Sequence, residues 1–312
     1  MKKSLIFIAL ICFVFLRCNK DMPIEASDTS IKFELQKRLS SRSSITLLDP
    51  GFTAETFISG LVDPAGLSFI NPAILFVNES EFSTSRGIPE DHLLRILPNG
   101  IIQTFVSGLN TPIGLTFEQN RGLFLSEFDN GNILQVSLNA TVSTFASGFI
   151  RPVDLIFDAS GNLYVSDVGA GAANEIIARI DAIGTVTNII TYSNAVDINP
   201  NGLAFNANGD LFIAELIPGE ITKILSGTSF PFDATISPPF AVVSSPVGLA
   251  FNKDGDLFVA GRNEIFRITP SGTTTTFATG LAGGFNRIVF NKKGDMYVTD
   301  MFAGTVIKVS KQ

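Results

Sequence analysis

The sequence predicts an all-β protein, a six-bladed β-propeller with four antiparallel strands per blade. Three observations predict it. A Leu-aromatic-Val type of motif recurs six times, its aromatic residues 48, 40, 48, 46 and 39 positions apart. A second motif, ending in Phe or its equivalent, precedes each copy at the same five spacings. The last unit stops short of a fourth strand, and a matching strand stands at the N-terminal end of the repeats. A period of about 40–45 residues built from short strands is the signature of propeller blades.

The innermost strand of each blade ends in Phe69, Phe117, Phe157, Phe205, Phe251 or Phe290, as in Gly66-Leu67-Ser68-Phe69 and Gly202-Leu203-Ala204-Phe205. A tight turn follows, marked by Gly161-Asn162, Gly209-Asp210, Gly255-Asp256 and Gly294-Asp295, because glycine tolerates the positive φ that such hairpins need. The second strands are centred on Phe76, Phe124, Tyr164, Phe212, Phe258 and Tyr297. Third strands carry Arg95, Gln135, Arg179, Lys223, Arg267 and Lys308 at one equivalent position. Fourth strands read Thr104-Phe105-Val106, Thr144-Phe145-Ala146 and Thr276-Phe277-Ala278, with looser versions at Ile189-Ile190-Thr191 and Ala241-Val242-Val243. Thr56-Phe57-Ile58 is the strand expected to complete the sixth blade, and closing the ring in this way removes an exposed sheet edge.

Ahead of the repeats, Lys2 and Lys3 precede an apolar run from Leu5 to Leu16, too short to span a bilayer and of the length of a signal-peptide core. Residues 1–17 are therefore expected to be an export signal, 18–45 a polar tether with a short helix near Phe33 to Leu39, and 46–312 the propeller. Both cysteines, Cys12 and Cys18, lie in the leader, so no disulfide framework is expected in the propeller. Cys18 follows the apolar run where a bacterial lipoprotein carries its lipidated cysteine, which makes it the expected membrane anchor at the cell envelope. An ordinary exported protein is the alternative. The net charge of −7 disfavours nucleic acid and suits cationic partners.

The stretch Asn201-Gly202-Leu203-Ala204-Phe205-Asn206-Ala207-Asn208-Gly209-Asp210-Leu211-Phe212-Ile213-Ala214-Glu215 resembles NHL-type repeats and the gluconolactonase-like (senescence-marker-protein-like) six-bladed propellers. The resemblance covers about residues 47–309 and speaks for architecture more than activity. It implies a divalent-metal site, Ca²⁺ or another cation, on the ring of residues four before each inner Phe. Here that ring reads Ala65, Ile113, Val153, Asn201, Val247 and Asn286, and Asn201 alone falls on a position where the resemblance implies a metal ligand.

A second ring is read from the residues themselves. Inner strands begin, and second strands end, at one mouth of the channel. The second strands end in Glu79, Glu127, Asp167, Glu215 and Asp300, with Gly261 breaking the series. Two readings stay open: an acidic ring for a cation or cationic ligand, or carboxylates that pair with the third-strand bases or satisfy turn amides. His92, the sole histidine, is expected in a long loop on the mouth side. Gly169 to Ala173 is read as a flexible mouth-side loop, and Ser226 to Pro239, with Phe230 and Phe232, as a loop on the opposite face that covers the blade edge or meets a partner. The leading expectation is a binding scaffold for a small molecule or envelope protein, with Asn201, Asn286 and the acidic series at its site. The alternative is a divergent metal-dependent lactone hydrolase, with ligands recruited from Glu215, Asp167 or Glu79 beside Asn201.

Overall fold

The computed structural model describes residues 45–80, 91–98, 100–171, 174–192, 197–231 and 238–312. The leader with Cys12 and Cys18, the tether up to residue 44, Ala172, Ala173 and Phe232 lie outside them. The described residues form strands and no helix.

Two strands, β1 (Thr46–Leu47) and β2 (Phe52–Ser59), precede the blades. Blade one is β3 (Pro64–Phe69), β4 (Leu75–Glu79), β5 (Asp91–Ile96) and β6 (Ile102–Leu109). Blade two is β7 (Pro112–Glu118), β8 (Gly122–Glu127), β9 (Asn132–Val136) and β10 (Val142–Ser147). Blade three is β11 (Pro152–Phe157), β12 (Leu163–Asp167), β13 (Ile176–Ile180) and β14 (Val186–Thr191). Blade four is β15 (Pro200–Phe205), β16 (Leu211–Glu215), β17 (Glu220–Ile224) and β18 (Ala241–Val242). Blade five is β19 (Pro246–Phe251), β20 (Leu257–Gly261), β21 (Glu264–Ile268) and β22 (Thr274–Thr279). Blade six takes β23 (Ile288–Phe290), β24 (Met296–Asp300) and β25 (Thr305–Lys311) from the C-terminal end and β2 from the N-terminal end, in the order β2-β25-β24-β23. The six sheets are antiparallel, and their inner strands touch in sequence round to β23 against β3.

The expected closure is therefore present: β2 pairs with β25 from Phe52↔Lys311 to Ser59↔Thr305. The repeat pattern did not foresee β1, which adds a fifth strand to blade five by pairing Thr46↔Thr279 and Leu47↔Ala278. Ile45, just before it, is buried in the core between blades five and six. The chain thus clasps two neighbouring blades before it enters the repeats.

The abundant phenylalanines bind blade to blade. The second-strand aromatic of one blade meets the inner Phe of the next edge-on: Phe124–Phe157, Tyr164–Phe205, Phe212–Phe251, Phe258–Phe290 and, across the closure, Tyr297–Phe69, with ring centroids 4.9–5.3 Å apart. Fourth-strand rings add a second edge contact, as in Phe258–Phe277 and Tyr297–Phe57. Each such pair contributes about 0.5–1.5 kcal/mol beyond its buried area.

The hairpin between first and second strands is built as its sequence predicts. In blade four, Asn206 Oδ1 accepts the amides of Asn208 and Asp210, and Gly209 takes φ +82°. Asn252 and Asn291 repeat the device in blades five and six. The third-strand bases lie at this end as well. Register places Arg95, Arg179, Lys223, Arg267 and Lys308 opposite the second-strand aromatics, not opposite the terminal acids. Lys223 pairs with Asp210 at 3.0 Å and Arg267 with Asp256 at 2.6 Å. The expected pairing of terminal acids with third-strand bases is corrected accordingly: Lys223, Arg267 and Lys308 meet the hairpin aspartates at the other end of the second strand, and Arg95 donates to Gln103 of the fourth strand.

Candidate functional site

Two faces bound the propeller axis. On the hairpin face lie the turns just described. On the loop face, second strands end and inner strands begin, with Pro64↔Glu79, Pro112↔Glu127, Pro152↔Asp167 and Pro200↔Glu215 in register. The residue before the proline has positive φ in four blades: Asp63, Thr111, Asn199 and Ser245. Non-glycine residues take this conformation rarely, and such strain tends to gather at functional faces.

The six ring positions at the loop face are all buried: Ala65, Ile113, Val153, Asn201, Val247 and Asn286 are between 0% and 1% exposed. Blades one to three close this end with an apolar cluster, Ala65, Ile113 and Val153 packed with Phe128 and Val168. Asn286 is fully used, its Nδ2 donating to the carbonyls of Gly261 and Arg262 while its Oδ1 accepts the Met301 amide. Asn201 differs. Its Nδ2 donates to Asn199 Oδ1 at 2.7 Å, but its Oδ1 is buried and has no hydrogen-bond partner among the described residues.

The acidic series sits on this face, and most of its members hold the loop that leads into their own blade. Glu79 accepts the Val62 amide, Glu127 that of Asn110, Asp167 those of Ile150 and Arg151, and Asp300 that of Ala282. Glu215 instead accepts the Tyr192 hydroxyl at 3.1 Å. Burial pushes the carboxyls of Glu79 and Glu215 above their ordinary range and that of Asp300 up to about 6. The five acids are not brought together: among the described residues no three acidic, histidine or cysteine side chains converge as a metal site would require. His92 is on β5 rather than in a loop. It lies opposite Glu79, with Nδ1 3.9 Å from Glu79 Oε2.

In blade four another acid replaces Glu215 at the lead-in loop. Glu175, 1% exposed, stands just before β13 and accepts the amides of Ile198 and Asn199 at 3.0 and 2.8 Å. It also shares a hydrogen bond with Asp197. Burial and that neighbour push its carboxyl up to about 7. Asp197 Oδ1, like Asn201 Oδ1, is buried without a partner among the described residues. Sequence reasoning missed Glu175 and Asp197. Glu175 stands at the place that Asp91 holds in blade one, where Asp91 accepts the Thr111 amide at 2.7 Å at the lead-in to blade two. The available signals were the acid where the third strand starts in blades one and three, and Asp197 at a lead-in position that is apolar in the other blades.

The metal that the family resemblance implies does not fit the ring. Ala65, Val153 and Val247 offer no oxygen, Asn286 Oδ1 is taken, and both oxygens of Asp167 accept amides. A hard cation needs six or more oxygens around it.

Below the loop-face ring, the axis is crossed by a charge pair. The next residue along the inner strand is glycine in four blades, but Asp154 in blade three and Arg287 in blade six. These blades face each other across the ring, and Arg287 Nε stands 3.6 Å from Asp154 Oδ1. A cavity of about 120 Å³ adjoins them, lined by inner-strand residues of all six blades. Residues near its hairpin end, among them Thr116, Ile156, Ala250 and Val289, are partly exposed. The channel therefore opens on the hairpin face and is closed on the loop face.

No family model matches the chain, and no curated protein matches it. Solved structures do. A gluconolactonase from Xanthomonas campestris superposes with TM-score 0.69 at 14% identity, over 86% of this chain and 95% of that one. Regucalcin from Agrobacterium tumefaciens, a calcium-binding protein, gives 0.65 at 15% over 83% and 94%. Virginiamycin B lyase from Staphylococcus aureus gives 0.59 at 15% over 84% and 100%. At such identities the likeness shows the fold, and it agrees with the gluconolactonase-like resemblance carried by the repeats.

Proposed function

We propose that this chain is a divergent lactone hydrolase of the gluconolactonase-like architecture, with its reaction centre where the chain leads into blade four. One observation carries the reading: two oxygens, Asp197 Oδ1 and Asn201 Oδ1, lie within five residues of each other and are buried without donors among the described residues. More than nine in ten buried polar groups are paired, so an unpaired oxygen marks a place reserved for a donor or cation. Beside them, burial and the neighbouring Asp197 push the Glu175 carboxyl up to about 7, the range in which a general base works best. The likeness of fold to a gluconolactonase points to the substrate class.

The test is a panel of sugar and aliphatic lactones offered to the purified protein, with Asp197→Asn and Asn201→Ala beside it. Hydrolysis above background, reduced at least about 100-fold in Asp197→Asn at an unchanged melting temperature, is the expected result for a lost general base. Thermal melts with Ca²⁺, Mn²⁺ or Zn²⁺ against a chelator test the cation. Two free oxygens fall short of the six or more that a hard cation needs, so no cation should raise the midpoint; a rise that vanishes in Asn201→Ala would put a cation there after all.

A second reading, a binding scaffold without catalysis, is favoured by the apolar closure of the loop-face ring. Under either reading we place the protein at a bacterial-type cell envelope, exported and anchored through Cys18, with no role for nucleic acid. Cys18→Ser should move it from the membrane to the soluble fraction, and retention on membranes would count against the anchor.

A further inference from the structure

We propose that the axial channel is a second binding site, separate from the blade-four centre, and that it takes a small neutral carbonyl compound held by Arg287. Arg287 lines the channel with its side chain only 6% exposed. Its Nη1 donates to the Val247 carbonyl at 3.4 Å, whereas Nη2 and Nε are buried and have no hydrogen-bond partner among the described residues. Asp154 does not satisfy it: Oδ2 accepts the Leu203 amide at 2.9 Å, and Oδ1 stands beside Nε. An ion pair whose sole task was to tie blade three to blade six would leave no reason for an unpaired guanidinium donor beside a cavity. Unpaired buried donors are rare and costly.

Charge and size select the occupant. Arg287 and Asp154 together are neutral, so a ligand of either sign would leave a net charge buried on the axis, which is unfavourable. The ligand is therefore neutral overall, with a carbonyl oxygen to accept from Nη2. The side chains of the remaining wall are largely apolar, with Leu115, Leu155, Leu203 and Leu249, and Ser68 and Thr116 add two hydroxyls. An apolar cavity of about 150 Å³ holds benzene, so about 120 Å³ admits a ring of five or six non-hydrogen atoms. A five-membered lactone or lactam has that size and polarity. A six-carbon sugar lactone does not fit.

The experiment is saturation-transfer proton NMR on the purified full chain, with γ-butyrolactone, pyrrolidinone and glycolate as probes in millimolar excess. Pyrrolidinone is a lactam and survives any lactonase, so its binding reads the channel apart from hydrolysis. The variant is Arg287→Met/Asp154→Asn, which removes both charges and keeps an acceptor for the Leu203 amide. A melt confirms that it is folded, and Arg287→Lys serves in its place if it is not. The expected result is transfer to both neutral rings and not to glycolate, abolished in the double variant and weakened at least about tenfold in Arg287→Lys. Absence of transfer in the natural sequence, transfer that survives both variants, or a preference for glycolate would overturn the proposal. Lactone hydrolysis that persists in a variant that has lost ring binding would leave the hydrolase reading intact.

Discussion

At the scale of single residues, a carboxylate that ends a second strand is asked to hold a loop while losing its water. Asp300 is fully buried and accepts the Ala282 amide with both oxygens. Burial raises its carboxyl from the ordinary 3.8 to about 6. The folded chain thus keeps a proton that the unfolded chain releases near 3.8. The stability this brings is complete below that pH and is lost as pH rises through about 6, on the order of 2–3 kcal/mol. Asp300→Asn, neutral throughout, should therefore raise the melting temperature by several degrees at pH 7, at about 2–4 °C per kcal/mol, and leave it unchanged near pH 4. Equal shifts at both pH values would contradict this account. The acidic series itself was legible in the sequence, because it recurs once per blade. Its work as an amide acceptor is a matter of geometry that spacing could not supply. Asp197, Asp154 and Arg287 were not legible as a site, since each breaks the repeat rather than following it, and Glu175, which shares its place with Asp91 of blade one, acts through a loop contact that spacing does not show.

At the scale of the element, the inner strands approach one another so closely that most blades place glycine beside the axis. A Cβ on Gly202 would come within 2.2 Å of the Val247 carbonyl, and one on Gly66 within 2.6 Å of the Ile113 carbonyl. Both obstacles are backbone, which cannot swing away. Gly202→Ala should cost about 1–3 kcal/mol or more, read as a lower midpoint in urea at an unchanged slope. Tolerance of alanine there would mean that the inner strands stand further apart. This crowding explains why Asp154 and Arg287 stand out, for two blades put a large charged side chain where the others have none. The strands were legible because the inner and second-strand motifs are alternating, aromatic and evenly spaced. The two-residue β1 was not, since Thr46-Leu47 is too short to carry a pattern and owes its strand to the open edge of β22.

At the scale of the whole molecule, the ring is closed by hydrogen bonds of β2 on β25 and by the aromatic contacts of Tyr297 with Phe57 and Phe69. Removing residues up to Ser59 would expose the β25 edge, so the truncated chain should associate and lose its single cooperative melt. Tyr297→Ala, which removes a ring shared by both ends of the chain, should cost about 3–5 kcal/mol. Six-fold architecture was legible in the sequence from its spacings alone. Which face of the axis is open was not, because it depends on how apolar side chains from three blades meet at the loop face. The function rests on what departs from that symmetry, at the lead-in to blade four. The most direct test is the rate of lactone hydrolysis against pH, for the natural chain and for Asp197→Asn. The rate should climb as pH rises through about 7, where the Glu175 carboxyl gives up its proton, and should be lost in the variant. No hydrolysis of any lactone at any pH, with or without added cation, would contradict it and leave a propeller that binds without catalysing.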